Sequence, residues 1–529
     1  MTADLGTRSG AGYALGDVLL PDGDRARNVE ASGDLSKDAF ARSRERFEGI
    51  VERLTGEDVD GLEHAQLEDL LALEGRELLR ALFQDRMDLR AGREARLGQV
   101  IGCAGRAHGA VEAGHDRTLA TIFGEVSVER LAYRRRGEQN LYVADAQLNL
   151  PEERHSHGVR RLAAVESAKG SFEEATEQVR ASTGLDVGKR QVEQLAQAAA
   201  VDFDAFYAQA CSPREQQCDE DVLVLSADGK GIVMRADGLR PQTAKAAQRA
   251  SPKLRTRLSK GEKRNRKRIA EVGAVYEVTP APRTPEDVLA SAAERTMPAP
   301  KAKDKWLTAS IVEDAATVVA EIFDEAERRD PSHERTWVAL VDGNNHQIDR
   351  IKHEARKRKT KVTIVVDVVH VLEYLWASAW CFFNEGDAAA ESWVYEKTLA
   401  VLEGKAGIVA AAIRRKATRL ALDPEQRGNA DRAADYLLNK RPYLDYPTAL
   451  ANGWPIATGV IEGACRHLVK DRMDITGARW GLAGAEAVLK LRALRSNGDI
   501  DNYWRYHLAQ ERHRVHQSRY AQGVIPAAA

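Results

Sequence analysis

The chain reads VLVLSADGKGIVMR from Val222 to Arg235. Four β-forming apolar residues lead into Asp228-Gly229, after which Ile232, Val233 and Met234 resume the apolar pattern. A continuous apolar run predicts a strand buried on both faces of a sheet. Burying a carboxylate at its end costs free energy unless a positive charge faces it. Asp-Gly is also a common hairpin turn, so Asp228 by itself is explained by turn chemistry as well as by catalysis.

Two later apolar runs also lead into an aspartate. Residues 337–341 precede Asp342-Gly343, and residues 362–366 precede Asp367, with His370 three positions on. Strand ends are where a sheet can direct several side chains to one point, so the three aspartates favour a ribonuclease-H-like sheet over a generic α/β fold. The predicted order is strand, strand, strand, helix, strand, helix, strand, at residues 222–235, 272–278, 306–312, 315–329, 337–341, 347–358 and 362–366.

A further acidic residue lies in the stretch VIEGACRHLVKDRM, residues 460–473. If this stretch is a helix, Glu462, Arg466 and Lys470 follow one another at i, i+4 and i+8 on one face. A solvated, salt-bridged helix explains that spacing. The functional interpretation places Glu462 beside the strand carboxylates, with Arg466, Lys470 and Arg472 facing a polyanion.

Positive charge is concentrated in one tract of a chain whose net charge is −2. Only Glu262 opposes the Lys and Arg residues there. Such a run is usually a mobile, solvated loop, but it is also the electrostatic footprint of a phosphate-binding surface. The tract contains Lys245, Arg249, Lys253, Arg255, Arg257, Lys260, Lys263, Arg264, Arg266, Lys267 and Arg268.

A second candidate for nucleic-acid contact lies at about residues 172–196. The pattern is helix, glycine turn, helix, and Lys189 and Arg190 lie near the start of the second helix. This is the outline of a helix-turn-helix, although most such helix pairs in all-α regions bind nothing. Arg134, Arg135 and Arg136 follow an earlier strand or hairpin and are either an exposed turn or a DNA-backbone contact.

Several classes of protein are excluded. No apolar run approaches 18 residues, and the N-terminus lacks the form of a secretory signal, so we expect no membrane association. Five scattered cysteines without a CxxC pair argue against a structural zinc site or a disulfide framework and fit a reducing cytoplasm. The chain has no GxGxxG, P-loop or GxSxG motif.

Four segments together resemble bacterial DDE transposases of the ISKra-type insertion-sequence family, which is distantly Mutator-like. They are SADGKG at 226–231, ALVDGNNH at 339–346, VVDVVHVLEYLW at 365–376 and GVIEGACRHLVKDRMDITGARWGLAGAEAVLKLRAL at 459–494. The resemblance covers about residues 115–500, and its last segment is the most specific. Some relatives carry a cysteine cluster where this chain has Arg135, Arg136 and Glu138, so a zinc module is not expected.

The resemblance implies an acidic triad and its cofactor. Asp228, Asp342 and Glu462 would be catalytic and would hold two Mg²⁺ ions about 4 Å apart, with Mn²⁺ as a substitute, because Mg²⁺ prefers oxygen ligands. Asp367 and His370 would support the site. DNA would contact residues of the basic segments, namely Arg466, Lys470, Arg472, Arg479, Trp480, Lys189, Arg190, Lys263, Arg264, Arg266, Lys267 and Arg268.

The implied activity is Mg²⁺-dependent cleavage at element ends and strand transfer into target DNA. The partners would be the terminal inverted repeats, the target DNA and further copies of this chain in a homodimer or larger oligomer, in the cytoplasm at the nucleoid. A structure-selective nuclease of the same fold, or a catalytically idle DNA-binding protein derived from a transposase, remains an alternative. The expected organisation is a flexible arm (1–45), a mainly helical DNA-binding region (46–215), the first part of a ribonuclease-H-like core (216–370), a helical insertion (371–455), the final core helix (456–497) and a C-terminal tail (498–529).

Overall fold

The computed structural model describes residues 39–210, 221–249, 254, 256–257, 266–291, 293–475 and 477–527. Two compact units are present. The smaller comprises the described residues up to Glu94 together with Val126–Glu129, and the larger comprises Ala95–Glu125 and the residues from Arg130 onwards.

The smaller unit is built on two packed helices, Ala41–Leu54 and His64–Gly92. Glu74 forms ion pairs with Arg46 and Arg53 at 2.9 and 2.8 Å. These pairs join the outer parts of the two helices, in agreement with the helical pattern and charged faces of this part of the sequence.

The larger unit contains a five-stranded mixed sheet. Four peripheral strands precede this sheet in the sequence, and Val126–Glu129 of the fourth strand belong to the smaller unit. In the sheet, β5 is central, pairs antiparallel with β6 and parallel with β8, and the strand order is β7-β6-β5-β8-β9. The predicted mixed α/β class and order of elements are confirmed. The peripheral strands are β1 (Val100–Ile101), β2 (Ala107–His108), β3 (Ala110–Thr121) and β4 (Gly124–Arg134). The sheet strands are β5 (Val222–Val233), β6 (Lys267–Val278), β7 (Ala302–Ser310), β8 (Trp337–Val341) and β9 (Val362–Val366).

Asp228-Gly229 is not a hairpin turn. The pairing of β5 with β6 runs without interruption from Val222 opposite Val278 to Val233 opposite Lys267, so Asp228 lies within a strand. A Cβ atom on Gly229 would lie 2.8 Å from the Ile269 side chain. The glycine therefore makes room for a cross-strand neighbour, and the turn interpretation is wrong.

Helices cover the sheet, as its apolar strands predict. All five residues of β8 are buried, which requires packing on both faces. Helix Ala315–Arg329 lies against β6 at Gly273, where a Cβ atom would approach Ile322 Cγ2 to 2.5 Å. That close approach explains a glycine in the interior of a strand.

The remaining helices flank this core. A helix-turn-helix pair is present at Phe172–Thr183 and Lys189–Ala200, with Gly184 at φ +73° between them. Residues 498–529, expected to be a tail, begin with helix Ile500–Glu511, whose Tyr503 and Trp504 are buried. The other helices of the larger unit that bear on its architecture are Val143–Leu148, His157–Lys169, Pro241–Arg249, Pro285–Leu289, Asn345–Arg358, Val368–Ala379, Ala388–Leu402, Ala406–Arg419, Gly428–Lys440, Tyr446–Ala451, Gly459–Ala464 and Leu482–Asn497, and Cys465–Lys470 is a π-helical turn.

Among the described residues, no helix combines the length and apolar character needed to cross a membrane.

Candidate functional site

Three aspartates lie in register at one edge of the sheet. Ser226 of β5 pairs with Leu340 of β8, and Leu340 pairs with Val365 of β9. Asp228, Asp342 and Asp367 each lie two residues beyond this row. Because side chains two residues apart point to the same face of a strand, the three carboxylates start from equivalent positions on adjacent strands. The apolar runs predicted the ends of β8 and β9 correctly, whereas β5 continues past Asp228 to Val233, and the pairing supplies the alignment.

Asp367 is the most enclosed of the three, with no exposed surface. It caps helix Val368–Ala379, accepting the Val369 N–H at 2.7 Å through Oδ1. Its Oδ2 accepts the hydroxyl hydrogen of Thr458. Asp367 therefore receives a donor at each of its two side-chain oxygens, one of them from the first turn of the helix that it caps.

Thr458 joins Asp367 to Glu462. The Thr458 hydroxyl also lies 3.2 Å from Glu462 Oε1. The preceding segment is held in place because Val368 N–H donates to the Ile456 carbonyl at 2.9 Å. Glu462, on helix Gly459–Ala464, is exposed to solvent.

Cys465 connects the same helical segment to Asp228. Its thiol donates to Asp228 Oδ2 at 3.4 Å. Burial raises the pKa of this thiol, and the neighbouring Asp228 raises it further, so the sulfur remains a hydrogen-bond donor. Glu462 precedes Cys465 by three residues, so the two side chains project from the same helix face. Glu462 therefore lies about one helical turn from the cysteine that contacts Asp228.

Trp480 anchors the segment that follows to the end of β5. Its backbone forms an isolated parallel β-bridge with Met234. The Trp480 N–H donates to the Val233 carbonyl at 3.0 Å, and the Trp480 carbonyl accepts the Arg235 backbone N–H at 2.8 Å. The indole N–H donates to the Met473 carbonyl at 3.0 Å. Trp480 therefore holds the Glu462 segment in register with the Asp228 strand.

Two side chains expected to contact DNA lie in the core. Arg472 and Trp480 are 3% and 5% exposed, and the guanidinium carbon of Arg472 lies 4.7 Å from the Trp480 ring centre and 5.2 Å from that of Phe172. Arg472 Nε donates to the Ser167 carbonyl at 3.1 Å. Burial lowers the pKa of Arg472 to about 10, with Arg492 adding to the effect. Their role here is to pack the helix-turn-helix against the Glu462 segment.

Arg268 is also engaged within the protein. Its guanidinium donates to the carbonyls of Ile311 (2.7 Å), Gly238 (3.2 Å) and Val312 (3.3 Å). Arg266 is half-buried, and Lys263 and Arg264 lie outside the described residues. Six of the predicted DNA contacts are exposed, namely Lys189, Arg190, Lys267, Arg466, Lys470 and Arg479.

The tightest group of potential metal ligands differs from the predicted triad. Asp367, His370 and Glu462 each offer one ligand atom, and these atoms lie within 4.8 Å of one another. Within the part of the chain that the structure describes, this is the one such group of three. Two residues expected only to support the site therefore lie next to Glu462, whereas Asp228 and Asp342 lie outside the group.

Other side chains close to the aspartates were not anticipated. Tyr436, from the helical insertion, donates to the Asp342 carbonyl at 3.0 Å. Gln347 donates to the Ala227 carbonyl at 3.0 Å and is buried. Burial raises the pKa of Glu271 on β6, the neighbouring Arg240 partly opposes this, and Asp228 adds to the increase. No local motif marks these residues, because each reaches the site from a different element.

Comparisons with known proteins give two findings. Residues 98–246 match the model of a family described as "Uncharacterised protein family (UPF0236)", which spans β3, β4, the helix-turn-helix and Asp228. No curated protein matches the sequence. A structure titled "Drosophila P element transposase strand transfer complex" aligns over 69% of this chain and 82% of that chain, at 10% sequence identity and a TM-score of 0.22. A TM-score this low does not establish a common fold.

Proposed function

We propose that the protein is a DDE-type DNA transposase with a ribonuclease-H-like core, which cleaves DNA at element ends and joins them to target DNA. The observation that supports the proposal is the alignment of Asp228 and Asp342 at one sheet edge, together with the contact between Asp228 and Cys465, which follows Glu462 by three residues. Phosphodiester cleavage and strand transfer are both in-line displacements at phosphorus, which need concentrated negative ligands at one point.

Asp228, Asp342 and Glu462 are the residues that would hold Mg²⁺. All three offer carboxylate oxygens, the ligands that Mg²⁺ prefers. Asp342 accepts the Asn344 N–H at 2.7 Å through Oδ1, and its Oδ2 receives no donor among the described residues. When bound, a pair of such ions activates the attacking oxygen and stabilises the leaving oxygen.

The surrounding residues supply rigidity and charge. Tyr436 holds the Asp342 backbone, and its ring stacks on Tyr374 with 4.0 Å between ring centres. Exposed Arg466, Lys470 and Arg479 lie on the same segment as Glu462 and would neutralise phosphates close to the carboxylates. Processing two element ends together requires at least two copies of the chain, so we expect a homodimer or larger assembly.

The helix-turn-helix would position the DNA end. Lys189 and Arg190 are exposed at the start of its second helix, the position that enters the major groove in this motif. Arg472 and the Phe172–Trp480 contact, with 5.8 Å between ring centres, pack this motif against the Glu462 segment. Bound DNA would therefore be held at a fixed distance from the carboxylates.

The test is cleavage and joining of labelled end DNA in Mg²⁺ with a plasmid target. Asp228→Asn, Asp342→Asn and Glu462→Gln should each abolish cleavage while DNA binding in EDTA is unchanged. Asp116→Asn, an exposed carboxylate on β3, is the matched control and should cleave normally. Cleavage without joining would assign a nuclease, and binding without cleavage by the unsubstituted protein would assign a DNA-binding protein.

A further inference from the structure

We infer that Asp367, His370 and Glu462 form a binding site for a divalent transition-metal ion, selective for Mn²⁺ over Mg²⁺. The site shares Glu462 with the proposed Mg²⁺ ligands but is otherwise separate from them. It does not depend on transposase activity, because it follows from the ligand atoms alone.

The ligand atoms converge from two helices. Asp367 and His370 are three residues apart at the start of helix Val368–Ala379, which places them on one face, and Glu462 approaches from helix Gly459–Ala464. The three ligand atoms lie within 4.8 Å of one another. A cation at the centre of three atoms at this spacing lies up to about 2.8 Å from each, so side-chain shifts of well under 1 Å would bring the ligand atoms to the ordinary coordination distances of about 2.0 to 2.2 Å.

The Thr458 hydroxyl marks a place where a positive charge would be favourable. Its oxygen contacts both Asp367 Oδ2 and Glu462 Oε1. A hydroxyl donates one hydrogen, so it cannot satisfy both carboxylates. One of the two contacts then brings oxygen lone pairs together beside a fully buried carboxylate, which costs free energy unless a cation or a proton compensates.

The second indication is the orientation of His370. Its Nδ1 lies 3.1 Å from Glu373 Oε2. A carboxylate accepts a hydrogen bond, so Nδ1 is the donor to Glu373 and Nε2 is the ring nitrogen that would bind the metal. Histidines that bind metals almost always donate their other ring N–H to such a partner, which fixes the tautomer and makes the ligand nitrogen more basic.

The donor set selects the class of metal. An imidazole nitrogen with two carboxylates suits Mn²⁺, Fe²⁺ or Zn²⁺, whereas Mg²⁺ favours oxygen ligands alone. We therefore expect Mn²⁺ to bind in the presence of excess Mg²⁺, with one nitrogen in its coordination shell. The proposed triad of Asp228, Asp342 and Glu462 offers no nitrogen, so the two sites are distinguishable by spectroscopy.

The experiment is pulsed electron paramagnetic resonance of Mn²⁺ added to the metal-stripped full chain without DNA. We expect a ¹⁴N modulation from a coordinated imidazole, and its loss in His370→Gln. His353→Gln, which removes an exposed histidine from helix Asn345–Arg358, is the matched control and should keep the modulation. Glu373→Gln should keep the modulation but weaken Mn²⁺ binding about tenfold or more, the usual effect of losing an outer partner.

The result separates this site from the proposed function. Asp228→Asn should retain the ¹⁴N modulation whether or not the protein cleaves DNA. Absence of the modulation in the unsubstituted protein, or its persistence in His370→Gln, would overturn the proposal. Equal Mn²⁺ affinity in Glu373→Gln and the unsubstituted protein would count against the orientation of His370 described above.

Discussion

Thr458→Val removes the hydrogen bond from Thr458 to the buried Asp367, together with the 3.2 Å contact of the same hydroxyl with the exposed Glu462. Valine has nearly the shape of threonine, so the substitution removes the hydroxyl with little change in packing. Asp367 is completely buried, and its Oδ2 receives the Thr458 hydrogen. Its other oxygen still accepts the Val369 N–H at 2.7 Å. The variant therefore leaves one oxygen of a buried carboxylate without a donor.

The expected cost follows from the charge of the acceptor. Hydrogen bonds to ionised groups contribute about 1.5 to 3 kcal/mol, and neutral ones about 0.5 to 1.5 kcal/mol. Thr398→Val is the matched control because Thr398 is equally buried but donates to the neutral Val394 carbonyl at 2.7 Å within its own helix. We expect Thr458→Val to cost at least about 1 kcal/mol more than Thr398→Val.

Hydrogen exchange measures this difference where it arises. The amides of Val369 and Val371 donate to Asp367 in the first turn of helix Val368–Ala379. A loss of 1.5 to 3 kcal/mol in local opening free energy should accelerate their exchange about 10- to 150-fold in Thr458→Val, with no comparable change at these amides in Thr398→Val. Equal exchange in the two variants would refute the assignment of Thr458 as the donor that stabilises Asp367.

Three further predictions concern residues around the site. Gly343→Ala should lower the free energy of urea unfolding by about 1 to 3 kcal/mol and displace Asp342, because Gly343 has φ +92° and a Cβ atom would lie 2.5 Å from Tyr436 Oη. Gly386→Ala is the control for backbone strain alone, because Gly386 has φ +84° with no atom within 4 Å of an added Cβ, and it should lower the free energy of unfolding by less. Burial, reinforced by Arg160, lowers the pKa of His157 to about 4. The unfolded chain therefore binds a proton before the folded protein does as the pH falls, and up to about 3 kcal/mol of folding stability should be lost between pH 6.5 and pH 4. Urea titrations in which His157→Gln shows the same pH dependence as the unsubstituted protein would contradict this. Arg472→Lys should destabilise by about 2 kcal/mol because lysine cannot both stack between Phe172 and Trp480 and donate to Ser167, whereas exposed Arg479→Lys should change stability by less than about 0.5 kcal/mol in the same assay.

Local patterns in the sequence determined the elements of the core. The apolar runs identified β5, β8 and β9 together with the aspartates beyond their parallel pairing, because a continuous run of buried apolar residues is a local pattern. The turn between the two helices at 172–200 was also predictable from the sequence, because the left-handed conformation of Gly184 that ends the first helix is a local requirement. Asp228-Gly229 was ambiguous because its conformation depends on β6, which pairs with it from about 40 positions later.

The side chains that share the site come from distant parts of the chain and meet only on folding. Asp228 and Cys465 are 237 positions apart, and Thr458 reaches Asp367 from 91 positions away, so no local pattern could connect them. The same holds for Arg472 and Trp480, which in the sequence are simply a cation and an aromatic residue near Glu462. Their burial depends on Phe172 and Ser167, about 300 residues earlier, because the free energy of a side chain is set by what packs around it. Local sequence patterns therefore specify where carboxylates can lie, and packing across the whole chain selects which of these carboxylates meet.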